Sequence, residues 1–237
     1  MTTAATTPRS LGLIHTVASL VTTFDELAAE LAAPVGVTTT HLVDEALLAA
    51  TRRDGLTKST ARHLFAYAVA TQESGADAIL VTCSSIGPAV DAIAPLIDVP
   101  VVRVDEAMAA QAVAIGGRVG VLATLESTMR PTGELVVREA RASGRPVEVE
   151  MRLCAGAFDA ARAGDRERHD RLVEAELRAL LPVVDVVLLA QASMARALAG
   201  IAADELRVPV LTSPRSAMER ALAVLREAAS GATAAAA

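Results

Sequence analysis

Aromatic side chains are nearly missing from this chain: there is no tryptophan, one tyrosine and three phenylalanines among 237 residues. Binding of nucleic acid by base stacking is thereby disfavoured. The formal net charge of -6 argues the same way, because a phosphate backbone calls for clustered Lys and Arg. Cysteine is also scarce. Cys83 and Cys154 lie too far apart to suggest a disulfide framework, and no His/Cys/Asp/Glu group has metal-ligand spacing. No apolar run is long and charge-free enough to span a bilayer, and Met1 to Ser10 lacks an apolar signal core. The expectation is a reducing, cytoplasmic setting with neither nucleic acid nor membrane as partner.

What the chain has in quantity is Ala, Val and Leu, with hydrophobic residues at 52%. Short apolar runs alternate with helical patterns throughout, which predicts an α/β fold with parallel sheets. Strands are expected at 11–16, 35–42, 78–81, 99–102, 118–123, 146–153, 183–190 and 208–211. Helices are expected between them, at 24–33, 44–53, 57–73, 89–96, 106–115, 128–142, 165–181 and 194–203, and at 215–229 to close the chain. The Arg162 to Arg171 charge run reads as a solvated helix face. Gly116-Gly117-Arg118-Val119-Gly120 precedes a strand, whereas a dinucleotide fingerprint must follow one.

The second half repeats the first. Gly12-Leu13-Ile14-His15-Thr16 matches Gly120-Val121-Leu122-Ala123-Thr124, and Asp77-Ala78-Ile79-Leu80 matches Asp185-Val186-Val187-Leu188, both at an offset of 108. Val99-Pro100-Val101-Val102 matches Val208-Pro209-Val210-Leu211 at 109. Three matches at a nearly constant spacing predict two pseudo-symmetric lobes, each a parallel sheet flanked by helices. The first lobe is assigned 10–105 plus a returning segment 209–229, the second 106–208, with flexible tails at 1–9 and 230–237. Ligands of open parallel sheets bind beyond the carboxyl ends of the strands, so the site is expected in a cleft between the lobes.

The stretch Ile79-Leu80-Val81-Thr82-Cys83-Ser84-Ser85 would stand on one wall of that cleft. Cys83 falls where a strand hands over to a helix, with Ser84 or Ser85 as its N-cap. Such a setting lowers a thiol pKa; the alternative is a small buried residue. The repeat sets Gln191 opposite Cys83, Ser193 opposite Ser85 and Thr124 opposite Thr16. His15 ends the first strand, should point into the cleft mouth, and is the candidate second acid or base. His41 is a candidate rim contact or a structural hydrogen-bonding residue, while His63 and His169 read as solvated surface. Ser127 and Thr128 suit helix capping or a carboxylate, Arg215 suits a substrate anion, and Cys154 reads as a buried or rim residue.

On Val81-Thr82-Cys83-Ser84-Ser85, Gly120-Val121-Leu122-Ala123-Thr124 and Leu188-Leu189-Ala190-Gln191-Ala192-Ser193-Met194, the chain resembles the aspartate/glutamate/hydantoin racemase superfamily, over roughly Leu11 to Leu225. The resemblance implies cofactor-independent proton transfer at the carbon next to a carboxylate, with no metal. In the racemases of that superfamily two cysteines, one per lobe, flank the carbon. Here the first position is Cys83 and the second is Gln191, an amide that hydrogen-bonds but does not exchange protons near neutral pH. The leading expectation is an isomerase acting on a small carboxylate. Cys83 and His15 would be catalytic, and Thr16, Ser84, Ser85, Thr124, Gln191 and Ser193 would bind substrate. The alternatives are a one-cysteine decarboxylase resembling the arylmalonate decarboxylases, or a carboxylate-binding protein without catalysis. The apolar Ala/Leu helices suit a homo-oligomer.

Overall fold

The computed structural model describes residues 9–235, with side-chain environments for residues 9–228. Of the tails assigned to 1–9 and 230–237, residues 1–8 and 236–237 lie outside the described residues. Two four-stranded parallel sheets form the frame. The first has β1 (Arg9–His15), β2 (Val37–Val43), β3 (Ala78–Val81) and β4 (Val101–Arg103) in the order β2-β1-β3-β4. The second has β5 (Arg118–Ala123), β6 (Glu148–Leu153), β7 (Val186–Leu189) and β8 (Val210–Thr212) in the order β6-β5-β7-β8. β3 and β7 are buried along their whole length, as strands covered by helices on both faces must be. The edge strands β2 and β6 mix half-buried and exposed positions.

The repeat is exact in the strand register. Leu11 pairs with Ala78 and Val119 with Val186, so both members of the pair shift by 108. The loops that start the inner strands repeat as well. The Ser10 amide donates to Asp77 at 2.8 Å, and the Arg118 amide donates to Asp185 at 2.8 Å. Gly12 and Gly120 share one purpose: a Cβ at Gly12 would lie 2.1 Å from Thr71 Cγ2, and one at Gly120 would lie 2.7 Å from Leu180 Cδ2. At both places only glycine lets the covering helix approach the strand.

Helices α1 (Leu20–Leu27), α2 (Glu45–Asp54), α3 (Lys58–Glu73) and α4 (Gly87–Ile93) serve the first sheet. Helices α5 (Glu106–Ile115), α6 (Glu126–Ser143), α7 (Ala157–Arg162) and α8 (Arg166–Leu180) serve the second. The last helix, α9 (Ser213–Ala235), returns to the first lobe. There Met218, Ala221 and Leu225 pack with Leu11, Leu13, Phe24 and Leu80. Among the described residues no helix is long and apolar enough to cross a membrane.

Four sequence expectations need correction. The lobe boundary after 208 puts Val210–Thr212 in the first lobe, but these residues pair with β7 and complete the second sheet. The return to the first lobe therefore starts at Ser213, because β8 needs the apolar edge of β7 before the chain can leave. The flexible tail assigned from 230 is helical to Ala235. The helix expected to stop before Pro34 continues as π turns over Ala28–Ala32 and a 3-10 turn over Ala33–Val35; proline is tolerated there because an N–H in a first turn needs no partner. The expected α-helix at 194–203 is instead a 3-10 segment, Ala192–Gly200.

Candidate active site

A cavity of about 490 Å³ lies between the lobes. The carboxyl ends of β1 and β3 supply Thr16, Thr82 and Cys83, and those of β5 and β7 supply Thr124, Ala190 and Gln191. Ser84, Ser85 and Ser193 also line it. Seven of the eight residues selected from sequence therefore share one cavity. Leu20, Phe24, Leu48, Val104 and Leu125 make much of the remaining wall apolar. An apolar cavity with a few convergent polar groups is the usual form of a small-molecule site.

The two walls are built alike and differ in chemistry. Cys83 and Gln191 are both extended residues that open a 3-10 turn, at φ -130° and -129°. Each sits beside the threonine of the neighbouring strand end. On the first wall, the Thr16 hydroxyl is buried with no other partner and supports the Cys83 sulfur, as do the N–H groups of Ile86 and Ser85. Burial nonetheless outweighs these donors and pushes the thiol above its ordinary value, and the charge of Asp105 adds to the push. The thiolate-favouring setting expected from the strand-to-helix junction is thus reversed. The turn is only three residues long, Ser84–Ile86, so its partial charge is small against the desolvation penalty.

On the second wall, Gln191 Oε1 accepts from the Thr124 amide at 2.8 Å, and Gln191 Nε2 donates to Thr124 Oγ1 at 2.8 Å. This pair of hydrogen bonds fixes the amide's rotamer. It also fills an acceptor position of the Thr124 hydroxyl and leaves that hydroxyl's own proton free to donate. The wall opposite Cys83 is therefore a set of hydrogen-bonding groups without a thiol.

Ser84 and Ser85 do not cap the following helix. Their hydroxyls cross the seam between the lobes: Ser84 Oγ donates to the Ala190 carbonyl at 3.2 Å, and Ser85 Oγ meets Thr128 Oγ1 at 2.7 Å. Below them, Arg103 is buried between Asp105 at 3.0 Å and Asp91 at 2.6 Å. Asp91 also accepts from Arg138 of α6 at 2.7 Å, which ties the second lobe to the first. Gly87 makes room for this guanidinium, since a Cβ there would lie 2.2 Å from Arg103 Nη2. The seam is polar, paired and fixed beside the cavity.

The family model for Asp/Glu/Hydantoin racemase matches residues 11–221. This chain is an Asp/Glu/hydantoin racemase family member. Solved structures of the same fold include glutamate racemase from Francisella tularensis, at 16% identity, TM-score 0.72, covering 93% of this chain and 81% of that one. Aspartate racemase from Picrophilus torridus aligns at 14% identity and TM-score 0.69 over 93% of this chain and 94% of that one. Allantoin racemase from Klebsiella pneumoniae aligns at 20% identity and TM-score 0.64 over 93% and 89%. A search of the curated proteins finds no matching relative.

Within this racemase-family frame, His15 departs from expectation. It is fully buried and is not part of the cavity wall. Its Nδ1 meets Thr82 Oγ1 at 2.8 Å and its Nε2 meets His41 Nδ1 at 2.9 Å. The nearly coplanar rings, 8° apart, fit an edge-to-edge hydrogen bond. His41 in turn lies 3.1 Å from Asp25. Burial first, and then the His41 charge, lower the His15 pKa from 6.5 to about 4, with Asp25 opposing. His15 is neutral at pH 7, has both nitrogens engaged, and stands behind Thr82 instead of in the cleft mouth. His41 belongs to this chain of contacts and not to the cavity rim.

Other candidates fall away from the site. Cys154 is fully buried in the core of the second lobe, where burial pushes its thiol up to about 12. Arg215 pairs with Glu30 and Glu219 outside the cavity. Thr128 reaches the cavity, and its hydroxyl is spent on Ser85. Among the described residues no group of His, Cys, Asp and Glu is placed to hold a metal ion.

The lining residues that sequence reasoning missed include Arg52, Phe158, Arg162 and His169. The Arg52 guanidinium from α2 lies 4.1 Å above the Phe158 ring of α7, joining the lobes beside the cavity. Arg52 looked like an ordinary basic residue in a last helical turn, and the six-residue α7 is too short to leave a periodic signal. His169 was assigned to solvent from its charged neighbours but is 1% exposed. Its position in the first turn of α8 was the available signal, because helices that run antiparallel to strands start at the strands' carboxyl ends.

Proposed function

We propose that this protein is an isomerase that moves a proton at the carbon next to the carboxylate of a small acid, without a cofactor. Family membership supports an isomerase of the racemase type. The observation that carries the finer reading is a single thiol, Cys83, at the end of an inner strand, lining an interlobe cavity whose facing wall is made of hydrogen-bond groups.

In this reading the carboxylate is held by donors left free at the strand ends. These include the Thr124 hydroxyl, with Arg52 and Arg162 adding positive charge from the cavity wall. A carboxylate so held acidifies its α-carbon by accepting the charge of the departing proton. Cys83 acts on one face. The direction of its pKa shift keeps it a thiol in the free protein, ready to give a proton to a carbanion. Substrate that takes up its proton leaves a thiolate supported by the Thr16 hydroxyl and the N–H groups of Ser85 and Ile86. The apolar wall excludes water from the carbanion.

A second reading, a decarboxylase, is favoured by one observation: Gln191 stands where a second thiol would, with its amide closed on Thr124. Loss of CO2 would generate the carbanion, and Cys83 alone would protonate it. Proton NMR in D2O separates the two. Isomerisation exchanges the α-hydrogen with all carbon retained, whereas decarboxylation releases CO2. A panel of amino acids, hydroxy acids, hydantoins and malonates serves as substrate. Turnover by wild type and its loss in Cys83→Ala support the proposal; an undiminished rate in Cys83→Ala overturns it.

A further inference from the structure

We infer that His169 is the second proton-transfer group of the cavity, serving the substrate face opposite Cys83. The inference rests on the proton-transfer reading above and supplies the partner that Gln191 does not.

His169 comes from the second lobe and Cys83 from the first, and both line the same cavity. The ring is 1% exposed. Its Nδ1 lies 2.8 Å from Asp170 Oδ1. Asp170 is itself held by Arg196, whose Nη2 donates to Oδ1 at 3.0 Å and whose Nε lies 3.0 Å from Oδ2. A carboxylate on Nδ1 fixes the tautomer: the proton sits on Nδ1, and Nε2 carries the lone pair. Nε2 is buried and has no hydrogen-bond partner among the described residues. A buried acceptor left without a partner is destabilising. A cavity-lining imidazole oriented by a carboxylate, with its free nitrogen unmet, is the arrangement of a general base. His15, by contrast, has both ring nitrogens in hydrogen bonds and lies outside the cavity.

The step balances. With substrate of one hand, Nε2 takes the α-proton as the Cα–H bond breaks, and the electron pair moves into the carboxylate. The Cys83 S–H bond then breaks and its proton joins Cα on the opposite face. Imidazolium and thiolate remain, the pair needed to convert substrate of the other hand by the reverse transfers. No oxidant, reductant or further reactant enters.

The test is enantiomer-resolved α-hydrogen exchange in D2O, with separate hands of aspartate, glutamate, mandelate and a 5-substituted hydantoin as probes. Wild type, His169→Gln, His169→Asn and Cys83→Ala are compared, with thermal melts to show that each variant is folded. General acid–base groups typically contribute about 10²–10⁴-fold. The expectation is that both His169 variants lose inversion by at least about 100-fold and lose exchange of the hand whose hydrogen faces His169, while the hand whose hydrogen faces Cys83 still exchanges at alkaline pH, where the thiol ionises. Cys83→Ala should exchange only the other hand. Inversion at the wild-type rate in either folded His169 variant overturns the inference and leaves the role of Cys83 standing. Equal loss of exchange for both hands at that alkaline pH also overturns it, because His169 would then act on binding or structure. If wild type exchanges neither hand of any probe, the proton-transfer function falls and this inference with it.

Discussion

Lowering the pH should destabilise this protein through one buried imidazole, His15. Its pKa is 6.5 when solvated and about 4 in the fold. Between those values the unfolded chain binds a proton that the folded chain refuses. The stability contributed by His15 is therefore complete above pH 6.5, is lost as pH falls toward 4, and changes no further below that. At about 1.4 kcal/mol per pH unit, the full loss is about 3 kcal/mol. Against a typical total of about 5–15 kcal/mol, that is a large share. The assay is urea unfolding at several pH values between 7 and 4, on wild type and His15→Asn. Paired carboxylates such as Asp185 also titrate at the acid end in both proteins, so the difference between the two curves isolates His15. The expected result is that wild type leads the variant at pH 7 and that the gap narrows by up to about 3 kcal/mol by pH 4. Imidazole NMR provides a direct check, with the His15 ring still neutral well below pH 6.5. A His15 midpoint near 6.5, or a gap that does not narrow with acid, would refute the reasoning.

Further outcomes follow from the same structure. In a Cys154→Ala background, alkylation of Cys83 should be slower at pH 7 than that of a free thiol and should keep rising with pH beyond the ordinary thiol range, since its pKa is raised. Thr16→Val should slow it further, because a donor to the thiolate is removed. Cys154→Ala itself should leave turnover intact, as its thiol lies in the core and outside the cavity. Asp105→Ala removes two of the three carboxylate hydrogen bonds of the buried Arg103, leaving Asp91, and should lower stability in urea unfolding. Gly12→Ala should cost about 1–3 kcal/mol by overpacking against Thr71, read from the same assay.

Much of the architecture was legible because it depends on short-range pattern. The four-residue runs at 78–81 and 186–189 read as buried strands, and the offset of 108 carries over into the register of Leu11 with Ala78 and Val119 with Val186. The family model then places the whole of residues 11–221. Cys83, Thr16, Thr124 and Gln191 were found because strand ends in such sheets point to one cleft. The edges were less legible. The limit of the second sheet at Thr212 depends on which strand β8 pairs with, and no local signal carries that.

Sequence by itself determined the twin α/β lobes, the cleft between them, and the placing of Cys83 and Gln191 at matching strand ends. These follow from the period of apolar residues and the identity of four strand-end positions. Only the tertiary structure decided protonation and direction. Burial sets the Cys83 thiol above its ordinary pKa despite three donors, turns His15 away into a neutral chain behind Thr82, and brings His169 from an apparently solvated helix into the cavity wall. Desolvation and hydrogen-bond pairing depend on which groups surround a side chain in space. No spacing along the chain specifies them.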